Sequence, residues 1–253
     1  MVGENRNYNG KLLSDSTPFA ISEAFKMLRT NLFYTSKGEK CPVYAITSTY
    51  ASSGKSLVIS NVAVSFAQLD KKVLLLDCDL RNPVLHHIFN VNKESGMSEL
   101  LAGGDSTVDK YVKKTSYPNL SIITSGGTPP NPAELLASDR TGKLIDFLKA
   151  HYDMIFIDLP PALIVSDATV ISEYVTGYIY AVRSNFDDSR NLKQSVSLME
   201  QTGAKIVGFV LNDIDMKTGS RYGSKYKYYG KYKYGRYGRY GRYGYGKYGR
   251  YDK

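Results

Sequence analysis

Six short runs of apolar, β-favouring residues recur along the chain: VYAIT at 43–47, VLLL at 73–76, LSIIT at 120–124, MIFI at 154–157, YIYAV at 178–182 and IVGFVL at 206–211. Their apolar positions are continuous rather than alternating, the pattern of strands covered on both faces. Helical patterns separate most of the runs, and strands alternating with helices predict an α/β fold with a parallel sheet flanked by helices. Ahead of the first run, PFAISEAFKMLRTNLFYTS (18–36) reads as an amphipathic helix with Ile21, Phe25, Leu28 and Leu32 on one face. After Leu211 the pattern stops. From Lys217 onward there is no Val, Ile, Leu, Phe or Ala, and glycine recurs every few residues, so nothing there can fill a core. Residues 1–216 are therefore expected to form one folded domain and 217–253 a disordered tail.

Composition changes this picture mainly through charge. The 253-residue chain has a formal net charge of +9. The tail alone holds twelve Lys and Arg against one Asp, a net of +11, which leaves −2 for residues 1–216. The basicity that would suggest a nucleic-acid binder thus belongs to the tail, and the body is near neutral. Cys41 and Cys78 sit beside or inside apolar stretches, as buried reduced thiols do; they give no disulfide framework and fit a cytoplasmic location. No apolar run approaches the ~20 residues that cross a bilayer. The opening MVGENRNYNGKLLSD lacks the apolar core of a signal peptide, so membrane attachment is expected through a partner or through charge.

Three motifs carry chemistry. STYASSGKSLVISNVAVSFAQL follows the first run and opens a helix, and Gly54-Lys55-Ser56 within it is the closing half of a phosphate-binding P-loop. Backbone N–H groups over Ser52, Ser53, Gly54, Lys55, Ser56 and Leu57 are placed to cradle phosphates at a helix N-terminus. The Lys55 ammonium is then expected to neutralise the β- and γ-phosphates and the Ser56 hydroxyl to hold Mg²⁺. The usual first glycine is replaced by Thr49. If position 52 requires a positive φ, serine there is strained. The second motif, VLLLDCDLRNP, ends a buried strand in Asp77-Cys78-Asp79. Carboxylates at i and i+2 project to one side, into the crevice where α/β sheets bind ligands; one can order Mg²⁺ and the other accept a proton from an attacking hydroxyl. In the third, MIFIDLPPALIVSDA, Asp158 closes an apolar strand before Pro160-Pro161, as an acid reaching a metal's outer shell must.

Together these residues resemble the bacterial tyrosine kinases of capsule and exopolysaccharide operons, particularly the soluble form of Gram-positive bacteria. The likeness rests on SEAFKMLRTNL, the P-loop, LLLDCDLRNP, GMSELLAG, SGGTPPNPAELLAS, IFIDLPP, VGFVLND and the Tyr-rich terminus. It implies the fold of deviant Walker-type P-loop ATPases related to septum-positioning and partition proteins, with ATP and Mg²⁺ as cofactors. It further implies that Lys55 contacts the phosphates, Ser56 and Asp79 coordinate Mg²⁺, Asp158 supports the metal, and Asp77 is the general base. Arg81 belongs to the same box as Asp77 and Asp79 and is counted among the nucleotide-site residues. Asn212, after IVGFVL, resembles the residue that meets adenine in related ATPases. The family's subunit-contact motif reads Glu23-x-x-Lys26-x-x-Arg29 here, and Lys26 departs from it by losing the guanidinium fork. The P-loop departs too, with Ser52 and Ser53 where members usually carry Gly-Glu.

The partners that the resemblance implies are further copies in a ring-like homo-oligomer, the cytoplasmic segment of a membrane activator or polysaccharide co-polymerase, a protein tyrosine phosphatase and other protein substrates. The implied location is cytoplasmic, at the inner face of the membrane. The tail carries twelve tyrosines as candidate phosphoacceptors: Tyr222, Tyr226, Tyr228, Tyr229, Tyr232, Tyr234, Tyr237, Tyr240, Tyr243, Tyr245, Tyr248 and Tyr251. A flexible 37-residue tail spans ~30–37 Å against a radius of gyration of ~17 Å for a 216-residue domain, enough reach to enter a neighbouring subunit's site. Two rival readings exist. A partition- or septum-positioning-type switch ATPase shares the fold, but those proteins carry an additional lysine early in the P-loop, and residues 49–53 contain none. An RNA or single-strand binder would use the Arg/Gly/Tyr tail through charge and stacking, but nucleic acid is not expected as the main ligand beside three nucleotide-site motifs.

Overall fold

A computed structural model describes residues 11–104 and 107–214. The expected runs all form strands: β1 (Val43–Ser48), β2 (Val73–Asp77), β4 (Leu120–Ile123), β5 (Met154–Asp158), β6 (Gly177–Arg183) and β7 (Ile206–Asn212). A two-residue strand, β3 (Lys113–Lys114), adds one antiparallel edge. The sheet order is β3-β4-β2-β5-β1-β6-β7, parallel apart from β3.

The continuous apolar runs have the predicted cause. Leu74, Leu76, Ile155 and Ile157 face one core cluster, while Val73, Leu75, Met154 and Phe156 face the other. The first cluster packs under Leu144, Ile145 and Leu148 of α6 (Asp139–Lys149) and Met199 of α7 (Ser189–Gln201). The second packs under α2 (Lys55–Ala67), whose sequence is apolar around most of its circumference and whose residues are nearly all buried. Cys41 and Cys78 are buried and unlinked.

The helix α1 (Phe19–Thr35) forms where expected and lies against α2. Three of the four residues that the spacing places on its inward face pack inward. Leu32 is buried and Phe25 and Leu28 pack partly on the core, but Ile21, in the first turn of α1, is 49% exposed. The remaining short helices are α3 (Leu85–Phe89), α4 (Met97–Ala102) and α5 (Pro132–Leu136). Among the described residues, no helix is long and apolar enough to cross a membrane. The twelve tail tyrosines and the expected disorder of 217–253 lie outside the described residues.

Candidate active site

Register brings the three motifs together. Asp77 and Asp158 are Cα partners across β2 and β5, and Asp158 also partners Ile46 of β1. The loop leaving β1, the loop leaving β2 and the loop leaving β5 therefore emerge side by side at the carboxyl ends of adjacent parallel strands, where such sheets place ligands.

From Ser48 the chain turns through residues 49–54 into α2. Gly54 has φ +85, a conformation that favours glycine, and a Cβ there would lie 2.0 Å from Asn212 Nδ2, so a side chain would also have to displace the Asn212 amide. Ser52 has φ +63, the left-handed backbone that costs a non-glycine residue about 1 kcal/mol. Ser48 Oγ and Ser53 Oγ both donate to Tyr50 O, at 2.7 and 3.0 Å, and Asn212 Nδ2 donates to Ser53 O at 3.1 Å. The Tyr50 hydroxyl meets Asn191 Nδ2, and its ring packs edge-on to Phe186. Asn212 thus sits directly over the P-loop.

Lys55 is the first residue of α2 and is buried. Its Nζ donates to Asp79 Oδ2 at 2.7 Å and stands 3.6 Å from Asp158 Oδ1; Ser56 Oγ lies 3.4 Å from the same nitrogen. Burial alone pulls the ammonium's pKa down, but Asp158, Asp79 and Asp77 more than offset this and leave it raised. Asp77 is fully buried, and its Oδ2 accepts from Leu85 N at 3.3 Å. Burial, then the neighbouring Asp158 and Asp79, hold its carboxyl well above the usual carboxylate range against the pull of Lys55. Burial likewise raises Asp158 to about 6, opposed by Lys55 and reinforced by Asp79.

Among the described residues Asp77 Oδ1 and both oxygens of Asp158 lack a hydrogen bond of normal geometry, although Lys55 Nζ at 3.6 Å and the neighbouring Ser56 hydroxyl still favour the charged Asp158. Buried carboxylate oxygens left without donors are costly unless positive charge joins them. Asp79 and Asp158, with the Ser56 hydroxyl alongside, supply oxygen donors of the kind Mg²⁺ takes, although among the described residues no ready-made cluster of three acidic, His or Cys side chains forms and the Lys55 ammonium stands between the two acids.

Arg81 turns out to be engaged. Its Nε and Nη2 each donate to Asp167, both at 2.9 Å, and Asp167 is fully buried. Sequence reasoning passed over Asp167, although an acid inside the apolar stretch ALIVSDATVI is a signal of a buried, paired carboxylate. Two quoted segments, GMSELLAG and SGGTPPNP, also meet: Glu99 accepts from Gly96 N and Gly127 N at 2.8 Å each, and Ser98 Oγ donates to Ser125 O at 2.7 Å. Glu23, Lys26 and Arg29 lie apart on α1. Lys26 Nζ pairs with Glu23 at 2.8 Å on the exposed face, and Arg29 Nη1 donates to Ser65 O of α2 at 2.6 Å.

A P-loop opening a buried helix, faced by acids at the ends of two neighbouring parallel strands, defines a P-loop nucleotide-binding protein. In agreement, the model of a family described as an AAA domain matches residues 43–181. Tyrosine-protein kinase CapB of Staphylococcus aureus is 35% identical over 217 residues, covering 86% of this chain and 93% of that protein. Tyrosine-protein kinase Etk of Escherichia coli K12 is 36% identical over 211 residues, 83% of this chain but 29% of Etk, so the chain spans under a third of that relative. The chain belongs to the bacterial tyrosine-kinase family.

Solved structures agree. The kinase domain of Escherichia coli Etk superposes with a TM-score of 0.75 at 36% identity, over 78% of this chain and 77% of that one. The chimerical protein CapA2B2 gives 0.73 at 36% identity, over 79% and 86%. Septum site-determining protein MinD from Pyrococcus horikoshii, complexed with Mg-ADP, shares the fold with a TM-score of 0.58 at 22% identity, over 68% and 70%.

Proposed function

We propose that this chain is an ATP- and Mg²⁺-dependent protein-tyrosine autokinase whose main acceptors are the tyrosines of its own residues 217–253. The observation that carries this reading is the convergence of Lys55, Asp79, Asp158 and Asp77 around one P-loop in a chain of the tyrosine-kinase family.

In this account, backbone N–H groups of residues 52–57 hold the phosphates of ATP and Lys55 Nζ moves from the carboxylates onto the β- and γ-phosphoryl oxygens. Asn212, poised over Ser53, meets the adenine, and Ser56, Asp79 and Asp158 hold Mg²⁺. The ion supplies charge neutralisation as the phosphoryl group transfers. A tyrosine Oη then bonds to Pγ as the bond from Pγ to the bridging oxygen of ADP breaks, and the Oη proton passes to Asp77. Asp77 Oδ1 has no hydrogen-bond partner of normal geometry among the described residues, which leaves that oxygen able to take the proton. The reaction needs the proton to leave only late, because a tyrosine hydroxyl has a pKa near ~10.

The length of the tail and the exposed face of α1 support transfer in trans. The tail is long enough to enter another subunit, and Glu23, Lys26 and Arg29 lie on a helix whose outer face exposes Phe19, Met27 and Phe33. The kinase acts in a homo-oligomer, with a membrane co-polymerase's cytoplasmic segment as activator, a tyrosine phosphatase as its opponent and capsule or exopolysaccharide production as the regulated process. Each phosphotyrosine adds about −1.5 to −2, so roughly six or seven cancel the tail's +11 and loosen its hold on acidic surfaces.

The experiment mixes Lys55→Met subunits bearing intact tails with active subunits lacking residues 217–253. Phosphate on the Lys55→Met tails is expected; its absence, when the full-length active protein labels itself, removes transfer in trans.

A further inference from the structure

We infer that Arg81 and Asp167 form a positioning pair that fixes the loop carrying Asp79 across the crevice from Asp158. The inference rests on the kinase reading and deepens it. Asp167 is a rigid post. It sits in a turn (Ser166–Ala168) following the Pro160-Pro161 step, and the chain on both sides is anchored. Thr47 Oγ1 donates to Pro160 O at 2.7 Å, Ala162 N to Ser48 O at 2.9 Å, and the buried Tyr178 hydroxyl to Ala168 O at 2.7 Å. Both carboxylate oxygens of this fully buried residue are taken by one guanidinium, in the two-pronged arrangement that fixes direction as well as distance.

Arg81 lies two residues beyond Asp79, in a segment without helix or strand between β2 and α3. Asp79 Oδ1 accepts from Asn82 N at 3.0 Å, closing a tight turn that moves as a piece with Arg81. The fork therefore ties the turn that presents Asp79 to the segment that leaves Asp158. Arg81 remains 39% exposed along its side chain, so a variant lacking Asp167 leaves a cation that can turn to water rather than one trapped in the core. The pair sets where Asp79 stands without touching the reacting atoms.

Arg81→Met, Arg81→Lys, Asp167→Asn and the Arg81→Met/Asp167→Asn double variant test this in the full-length chain. Two readouts are needed: the rate of phosphate gain on a tail peptide, and the affinity for a fluorescent ATP analogue with and without Mg²⁺. Misplacing Asp79 should lower kcat roughly 10- to 100-fold and shrink the Mg²⁺-dependent gain in affinity, with a smaller change in Mg²⁺-free affinity. Arg81→Lys should retain part of the rate, and the double variant should lose no more than the worse single one. Losses that add, or variants that match wild type in both readouts, overturn the pair. A wild type that binds the analogue but transfers nothing overturns the kinase reading instead, and the Mg²⁺-dependent affinities still decide the pair.

Discussion

Lys55 Nζ and Asp79 Oδ2 lie 2.7 Å apart although 24 residues separate them in the chain. The first helical residue after the P-loop thus meets the acid that follows β2, in a place where both are buried. This contact joins the P-loop to the acidic strand ends, the two halves to which the proposed function gives the phosphates and the metal.

Replacing Lys55 by Met removes the cation that contacts Asp79 and Asp158 and lies near Asp77. Tyrosine transfer should fall by at least about a thousandfold, as for loss of a group stabilising developing charge. Stability should also fall, by about 3 kcal/mol at neutral pH, because buried carboxylates lose their partner. The loss should be smaller at pH 5 than at pH 8, since protonation discharges the acids; urea unfolding at the two pH values checks it.

Asp158 gives a pH prediction of definite sign. Its carboxyl titrates at about 6 in the folded chain against an ordinary 3.8. The folded state therefore binds the proton more tightly, and the stability this confers is complete below about 4 and lost as pH rises through about 6. Asp158→Asn has no such proton to lose. Its stability relative to wild type, in protein free of nucleotide and Mg²⁺, should improve between pH 4 and pH 7 by on the order of 3 kcal/mol. A difference that stays flat over that range would contradict the buried, raised carboxyl.

At Gly54, alanine meets two obstacles: φ +85 and a Cβ 2.0 Å from Asn212 Nδ2. Gly54→Ala should lower stability by about 1 kcal/mol from conformation alone and more from displacement of Asn212. Adding Asn212→Ala should recover the steric part and leave the conformational part. Thermal unfolding of the single and double variants separates the two; equal melting temperatures for Gly54→Ala and wild type would show that the loop refolds around the methyl.

Much of this was legible beforehand because burial on both faces writes itself as unbroken apolar runs, and each of the six runs became a strand. Asp77, Asp79 and Asp158 were legible for the same reason, as acids ending such runs. What escaped notice was set by contacts between distant segments. Lys113 and Lys114 form an edge strand with no apolar signal, paired with β4 and held by Lys113 Nζ donating to Ser95 O at 2.6 Å. Asp167 is defined by Arg81, 86 residues earlier. Ile21 has the right spacing for the inner face of α1 but is exposed in the first turn of that helix.

The most direct test of the central claim is the intact mass of the purified chain after incubation with Mg-ATP, with and without the cytoplasmic segment of a membrane activator. Three samples suffice: wild type, Lys55→Met, and a chain ending at residue 216. A ladder of added phosphates on the wild type alone, absent from both variants, is the predicted result. Steady hydrolysis of ATP by the wild type with no added phosphate in either condition would contradict the account and leave a nucleotide switch with a basic tether.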